Sequence, residues 1–263
     1  MRIAVCLFGN LGNAGCASQR HPKTNLMKES DVFNDVSKPC SLLNKHLCSH
    51  HQTDFFLHSW SMESKDYILN MYNPKAHLLE SQKDFVSDLS DYGLVGNDIE
   101  KWKISESSKF GYNALLPSRG SVETILNEMK RMAFRSSSRY YSSQKSLQLK
   151  QQYEKENNFE YDFVLLTRFD IMFYKQFLLD NLDKDKFYGN FRHGSIDEHL
   201  AISDHWFLGG SKHMDIFGSL FDHRHKYCLR PTFSSRQHIQ EFIGDENLKH
   251  LINDGDYEVK RKT

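Results

Sequence analysis

Apolar positions in this chain fall in short blocks between polar stretches, and two blocks are purer than the rest. Ile3 to Phe8 and Phe163 to Leu166 carry no charged side chain, the pattern of strands covered on both faces of a parallel sheet. The segment TDFFLHSW (Thr53 to Trp60) reads as a short aromatic strand that turns polar at its end, and KAHLLES reads as another, entered through a turn at Tyr72, Asn73 and Pro74. Phe187 to Gly189 and DHWFLGG (Asp204 to Gly210) add two more, the last running into a glycine turn. Helical spacing fills the intervals. Residues 32–50 place Val32, Phe33, Val36 and later leucines on one side, with an interruption expected at Pro39. Ser121 to Phe134 sets Val122, Ile125, Leu126, Met129, Met132 and Ala133 at i, i+3, i+4, i+7, with Ser121 and Thr124 suited to its start. A second helix is predicted from about Ser142 to Glu156, rich in Gln, Lys and Leu. Ser211 is placed to cap a helix through about Phe221, with Met214, Phe217, Leu220 and Phe221 inward, and a last helix is expected over Asp245 to Ile252. Strands alternating with helices predict an α/β fold: a mainly parallel sheet flanked by helices, in one domain over residues 1–263 without internal repeat or long linker.

A chain of 263 residues can bury one substantial core. With 19 Phe and 12 Tyr the material for that core is present, which excludes global disorder. Lys plus Arg and Asp plus Glu both number 34, so the basic excess typical of a nucleic-acid binder is missing and no nucleic-acid partner is expected. The five cysteines are odd in number and irregularly spaced, the usage of reduced thiols in a cytoplasmic protein. The cluster CSLLNKHLCSHH matches no common zinc spacing, and its Leu42, Leu43 and Leu47 fit one helix face with the cysteines as small core residues. The run Ile3 to Phe8 is too short for a signal-peptide core and is broken by Gly9 and Asn10; no segment approaches the ~20 apolar residues of a transmembrane helix.

The chemistry sits where the second pure block ends. Strand side chains alternate, so Arg168 and Asp170 point to one side beyond the carboxyl end of a buried strand, where α/β sheets bind ligands. An aspartate there can hold a divalent metal and an arginine can grip phosphate oxygens in a fork. The same two residues also suit a structural ion pair closing the sheet edge, so both readings stand. Gly9, Gly12 and Gly15 follow the first strand as G-x-x-G-x-x-G, which is neither the dinucleotide fingerprint nor a P-loop; it reads equally as a surface loop.

Several segments together resemble the GT-A-type glycosyltransferases, particularly the small bacterial and viral enzymes of capsule and glycan synthesis. RIAVCLFGN is similar to the family's first strand, TDFFLHSW to a D-x-F-x-H-x-W segment, and YYSSQKSLQLKQQYEKENNFEYDFVLLTRFDIMF to the helix and strand leading to its metal motif. SDHWFLGGSKHMDIF is similar to the acceptor-side segment. The resemblance implies a GT-A-like Rossmann-type fold, with a donor-binding half over about residues 1–175 and an acceptor-side half over about 176–263. It implies transfer of a sugar from a UDP- or GDP-sugar to a glycan or polysaccharide hydroxyl, assisted by Mn2+ or Mg2+. Asp170 then stands at the last acid of a D-x-D motif as metal ligand, while Arg168 replaces the first acid and puts metal binding in question. Phe8, Gly9 and Asn10 would border base and ribose, and Ser142 and Lys145 would reach ribose or phosphates, Lys145 being equally a solvated helix lysine. Asp204 is the implied catalytic base, or else only caps or salt-bridges the next strand, with Asp197 and Glu198 as rivals, and His223, His225 and His238 are candidates for a third metal ligand. Gly209 and Gly210 would either admit the acceptor or simply form a turn. A non-catalytic sugar- or nucleotide-binding module and a sulfotransferase using GNLGNAGCASQRHPKT as an anion loop are the alternatives.

Overall fold

The structure is a computed structural model that describes residues 1–11, 36–85, 122–191, 201–252 and 255–259. Among them, a seven-stranded sheet is built from β1 (Arg2–Gly9), β2 (Gln52–Ser59), β3 (Ala76–Leu79), β4 (Phe163–Arg168), β6 (Phe187–Gly189), β7 (Trp206–Gly209) and β8 (Leu248–His250), in the order β3-β2-β1-β4-β7-β6-β8. β5 (Ile171–Phe173) pairs antiparallel with β9 (Tyr257–Val259) in a separate ribbon. β2, β1 and β4 run parallel, as do β3 with β2 and β8 with β6. Only β7 opposes its neighbours, antiparallel to both β4 and β6. The mainly parallel α/β sheet expected from the sequence is therefore present, and strands from both halves of the chain belong to it.

Strand alternation splits the core in two. On β1, Ile3, Val5 and Leu7 face one layer with Phe163 and Leu165 of β4 and with Leu43 of helix α1 (Ser37–His46). Ala4, Cys6 and Phe8 face the other with Val164 and Leu166, against Tyr140 and Leu147 of helix α3 (Val122–Asn157). The period of two in each strand thus serves two helical layers, and every one of these side chains is nearly or wholly buried. By the same alternation Arg168, two residues beyond Leu166, lies on the α3 face.

Helix α2 (Lys65–Tyr72) ends at Asn73 in the left-handed conformation, which forms the expected turn before β3. Helices α4 (Ser211–Gly218), α5 (Leu220–His223) and α6 (Pro231–Phe242) follow the sheet's antiparallel strand. None of the helices is long and apolar enough to cross a membrane among the described residues.

Five points of the local reading are corrected. The two helices predicted over 121–134 and 142–156 are one helix of 36 residues, about 54 Å long at 1.5 Å per residue. The serine-rich stretch between them is a weak helix former, but Ser136, Ser137, Ser142 and Ser146 are wholly buried, and small side chains let the helix lie close to its neighbours. Pro39 does not interrupt its helix; it sits in the first turn, where no intrahelical N–H is lost. The helix expected over 245–252 is a short 3-10 turn followed by β8, because pairing with the edge of β6 outweighs local propensity in a three-residue segment. α6 was missed among polar residues although Pro231 opens it and Phe233 and Ile239 are buried. Ser211 is the first residue of α4 and not its cap; its hydroxyl donates to Glu154 Oε1 at 2.7 Å. Ser121, Gly12, Gly15, Asp197, Glu198 and the tail from 260 lie outside the described residues.

Candidate functional site

The exit of β1 is held from three directions. Gly9 has φ 108°, a conformation that only glycine adopts without strain, and nothing would obstruct a Cβ there, so backbone freedom is what the position requires. Its N–H donates to Ser142 Oγ at 2.9 Å, and its carbonyl accepts from the Trp60 N–H at 3.3 Å. Ser61 Oγ accepts from the Leu11 N–H at 2.9 Å and bonds Asn10 Oδ1. Ser142 is wholly buried, placed behind the turn rather than in open space. Its hydroxyl also meets His58 Nδ1 at 2.7 Å, and His58 Nε2 meets Glu80 Oε1 at 3.1 Å. Burial drives His58 down to about 4, against the pull of Glu80, so the ring is neutral at physiological pH.

Two ion pairs gather beside this turn. Arg168 binds Asp170 in a fork, Nε donating to Oδ1 at 2.8 Å and Nη2 to Oδ2. Arg139, reaching from α3, donates Nη1 to Asp204 Oδ2 at 2.6 Å and lies with its guanidinium 5.0 Å from the centre of the buried Phe8 ring. The pairs sense each other. Burial opposes the charge on Asp204, yet Arg139, His205 and Arg168 hold its carboxyl below the ordinary aspartate range. Burial likewise opposes Arg168, but Asp170 and Asp204 raise it. His205 Nε2 is 3.9 Å from Asp204 Oδ1, and burial keeps that imidazole below its usual value despite Asp204. Its Nδ1 meets Ser203 Oγ at 3.2 Å and the Tyr257 hydroxyl at 3.4 Å.

Phe8, Gly9, Asn10, Ser142, Arg168, Asp170 and Asp204 are thus brought to the carboxyl edge of the parallel strands. Lys145 lies on the same helix, its Nζ bonded to Gln148 Oε1 at 2.9 Å and 5.2 Å from the Tyr141 ring centre. His238 and His223 stand apart from Asp170. His238 is wholly buried, meeting the Ile216 carbonyl and the Tyr227 hydroxyl at 3.1 Å each, and His223 packs against it and Phe242. His225 lies in the turn after α5. At Gly210 a Cβ would overlap the Lys184 backbone carbonyl, so close packing explains that glycine. The cluster's main omissions from the sequence reading are Arg139 and His205. Arg139 lies in the serine-rich stretch without any periodic signal, whereas His205 was visible beside Asp204 in a strand-entry segment.

The donor set does not fit a resident divalent ion. Both oxygens of Asp170 accept from Arg168, and one oxygen of Asp204 accepts from Arg139. Each carboxylate is matched by a guanidinium, and His205 adds no negative charge, so the cluster lacks the net negative charge that a hard cation needs. No group of three or more His, Cys, Asp or Glu side chains is arranged to hold a metal among the described residues. Cys40, in the segment weighed for zinc, is a buried core residue whose thiol contacts Asn44 and the Met71 carbonyl.

No protein-family profile matches the chain, and no curated protein matches it in sequence. Two solved structures of the galactosyltransferase LgtC align with 95% of the chain at 10% identity. One, in complex with donor and acceptor sugar analogs, is covered over 73% of its length with a TM-score of 0.39. The other, an active-site mutant, is covered over 72% with a TM-score of 0.41.

Proposed function

We propose that the chain is a nucleotide-sugar-dependent glycosyltransferase acting on a glycan hydroxyl. The observation that carries this reading is the convergence of the β1 exit turn, the Arg168–Asp170 fork and the Arg139–Asp204 pair at the carboxyl ends of β1 and β4, where parallel α/β sheets bind their ligands. The sequence segments that resemble GT-A enzymes supply the Gly9 turn, Arg168, Asp170 and Asp204, and Arg139 immediately precedes one of them. In the transfer, the bond from the sugar's anomeric carbon to the diphosphate oxygen breaks and its electron pair leaves with the nucleoside diphosphate. A new bond forms to the acceptor oxygen, and the Asp204–His205 pair takes the acceptor's proton. His205, neutral and beside an ionised carboxylate, suits that role better than Asp204 alone, whose lowered pKa makes it a weak base. The Gly9 turn and Asn10 border the nucleoside, with Ser142 and His58 fixing that turn from behind.

A thermal-shift screen of UDP- and GDP-sugars tests the reading, because a ligand bound only by the native state raises its apparent stability. At least one nucleotide sugar should raise the melting temperature, and His205→Ala should abolish turnover of that sugar while keeping the shift. A folded protein that responds to no nucleotide sugar refutes the proposal. A shift without transfer or hydrolysis in any acceptor mixture would instead identify a binding module.

A further inference from the structure

A departing nucleoside diphosphate gains negative charge on its terminal phosphate, and something in the site must meet it. The carboxylates here are arranged poorly for a metal, but two guanidinium groups flank Phe8 with N–H groups to spare: Arg139 lies 5.0 Å from its ring centre, and Arg168 is its register partner on β4. Arg168 uses Nε and Nη2 on Asp170, which leaves Nη1 without a described protein partner, and its side chain is 25% exposed. Arg139 uses Nη1 on Asp204, and its Nη2 is buried without a hydrogen-bond partner. A buried donor left unmade is costly, and a guanidinium has five donors in a plane suited to phosphate oxygens. The two groups come from different elements, α3 and the end of β4, and each influences the ionisation around the other. Their carboxylate partners hold them in place, so the fork geometry exists before a ligand arrives. A cavity of about 10 Å³ touches Arg139, Ser143 and Ser235, room for a water and not for a phosphate, so an anion meets the pair from the side of Arg168, the one partly exposed residue of β4.

We infer that Arg139 and Arg168 together hold the donor's diphosphate and stabilise the departing nucleoside diphosphate in place of a divalent cation. This rests on the glycosyltransferase reading and adds to it Arg139 as a ligand-binding residue and independence from metal.

Isothermal titration of the full chain with UDP, GDP and inorganic pyrophosphate, in EDTA and separately in Mn2+, tests it. At least one nucleoside diphosphate should bind in EDTA with an affinity within about threefold of that in Mn2+, since the guanidinium groups need no metal bridge. Arg139→Lys and Arg168→Lys, which keep the charge but lose the fork, should each weaken binding about 10- to 100-fold, the loss expected for charge-assisted hydrogen bonds. Binding that appears only with Mn2+ overturns the inference and leaves the transferase reading intact. Binding in EDTA that neither lysine variant weakens also overturns it, as when Arg139 Nη2 serves only a buried water. No binding with or without metal refutes the transferase reading itself, and the inference with it. The wild-type comparison in EDTA requires no variant, so loss of folding in a lysine variant does not remove the test.

Discussion

Ser142→Ala probes the support of the β1 exit turn most directly. The hydroxyl is wholly buried and lies between the Gly9 N–H at 2.9 Å and His58 Nδ1 at 2.7 Å. The Gly9 amide can only donate, so Ser142 Oγ accepts there and directs its own proton to Nδ1. His58 then carries its proton on Nε2 and donates it to Glu80. Alanine breaks this chain at its centre and leaves a buried backbone donor and a buried ring acceptor unpaired. Each orphaned group costs about 1–3 kcal/mol, so the expected loss is about 2–6 kcal/mol. For a chain of this size that is about 4–24 °C in melting temperature, at about 2–4 °C per kcal/mol. Urea unfolding should show a lower midpoint with an unchanged m-value, because the surface exposed on unfolding is hardly altered. Ser143→Ala, one residue along the same helix and without a described side-chain hydrogen bond, is the control and should be neutral or slightly stabilising through helix propensity. A loss below about 1 kcal/mol in Ser142→Ala, or an equal loss in the control, would falsify the argument that this hydroxyl holds the turn.

Acid should destabilise the fold through its buried histidines. His58 and His238 are both held at about 4 by burial, below the ~6.5 of an unfolded histidine, so the unfolded chain binds protons first as pH falls. Their contribution is fully present above about pH 6.5 and is lost progressively toward pH 4, on the order of 3 kcal/mol for each. Urea midpoints at pH 7.5 and 4.5 measure it, and no decline across that window contradicts the burial argument. Lys150→Ala should cost about 3–5 kcal/mol, since the fully buried ammonium bonds Glu154 Oε2 at 2.8 Å and Asp215 Oδ1 and Ser211 Oγ at 2.5 Å, and its removal strands two carboxylates. Chemical denaturation at neutral pH reads this, and a loss under 1 kcal/mol shows the network to be dispensable. Gly210→Ala should lose about 1–3 kcal/mol because its methyl group meets the rigid Lys184 carbonyl, whereas Gly255→Ala meets nothing and serves as the comparison in a melting experiment.

The residues at the carboxyl edge of the parallel strands were legible because they follow local rules. Two uncharged blocks announced buried parallel strands, and the alternation along the second put Arg168 and Asp170 on one side of its end. Gly9 was visible as a turn immediately after an apolar run. The partners of these residues were not legible. Arg168 and Asp170 are two positions apart, yet nothing in that spacing tells whether the carboxylate faces a metal or folds back onto the guanidinium. Arg139 and Asp204 are separated by 65 positions, and their pairing depends on α3 packing across β1 and β2 while the segment entering β7 lies beside β4.

The sequence by itself determined where β1 to β4, β6, β7 and most helices form among the described residues, which faces are apolar, and which charged groups emerge at the strand ends. These depend on side-chain period and on a few turn residues, and so are written locally. Only the tertiary structure decided that the serine-rich stretch continues α3, that 248–250 is a strand, and that each carboxylate at the edge has its own arginine. In those places packing, edge pairing and the cost of burying charge outweigh local propensity, and each of them depends on residues brought together from distant parts of the chain.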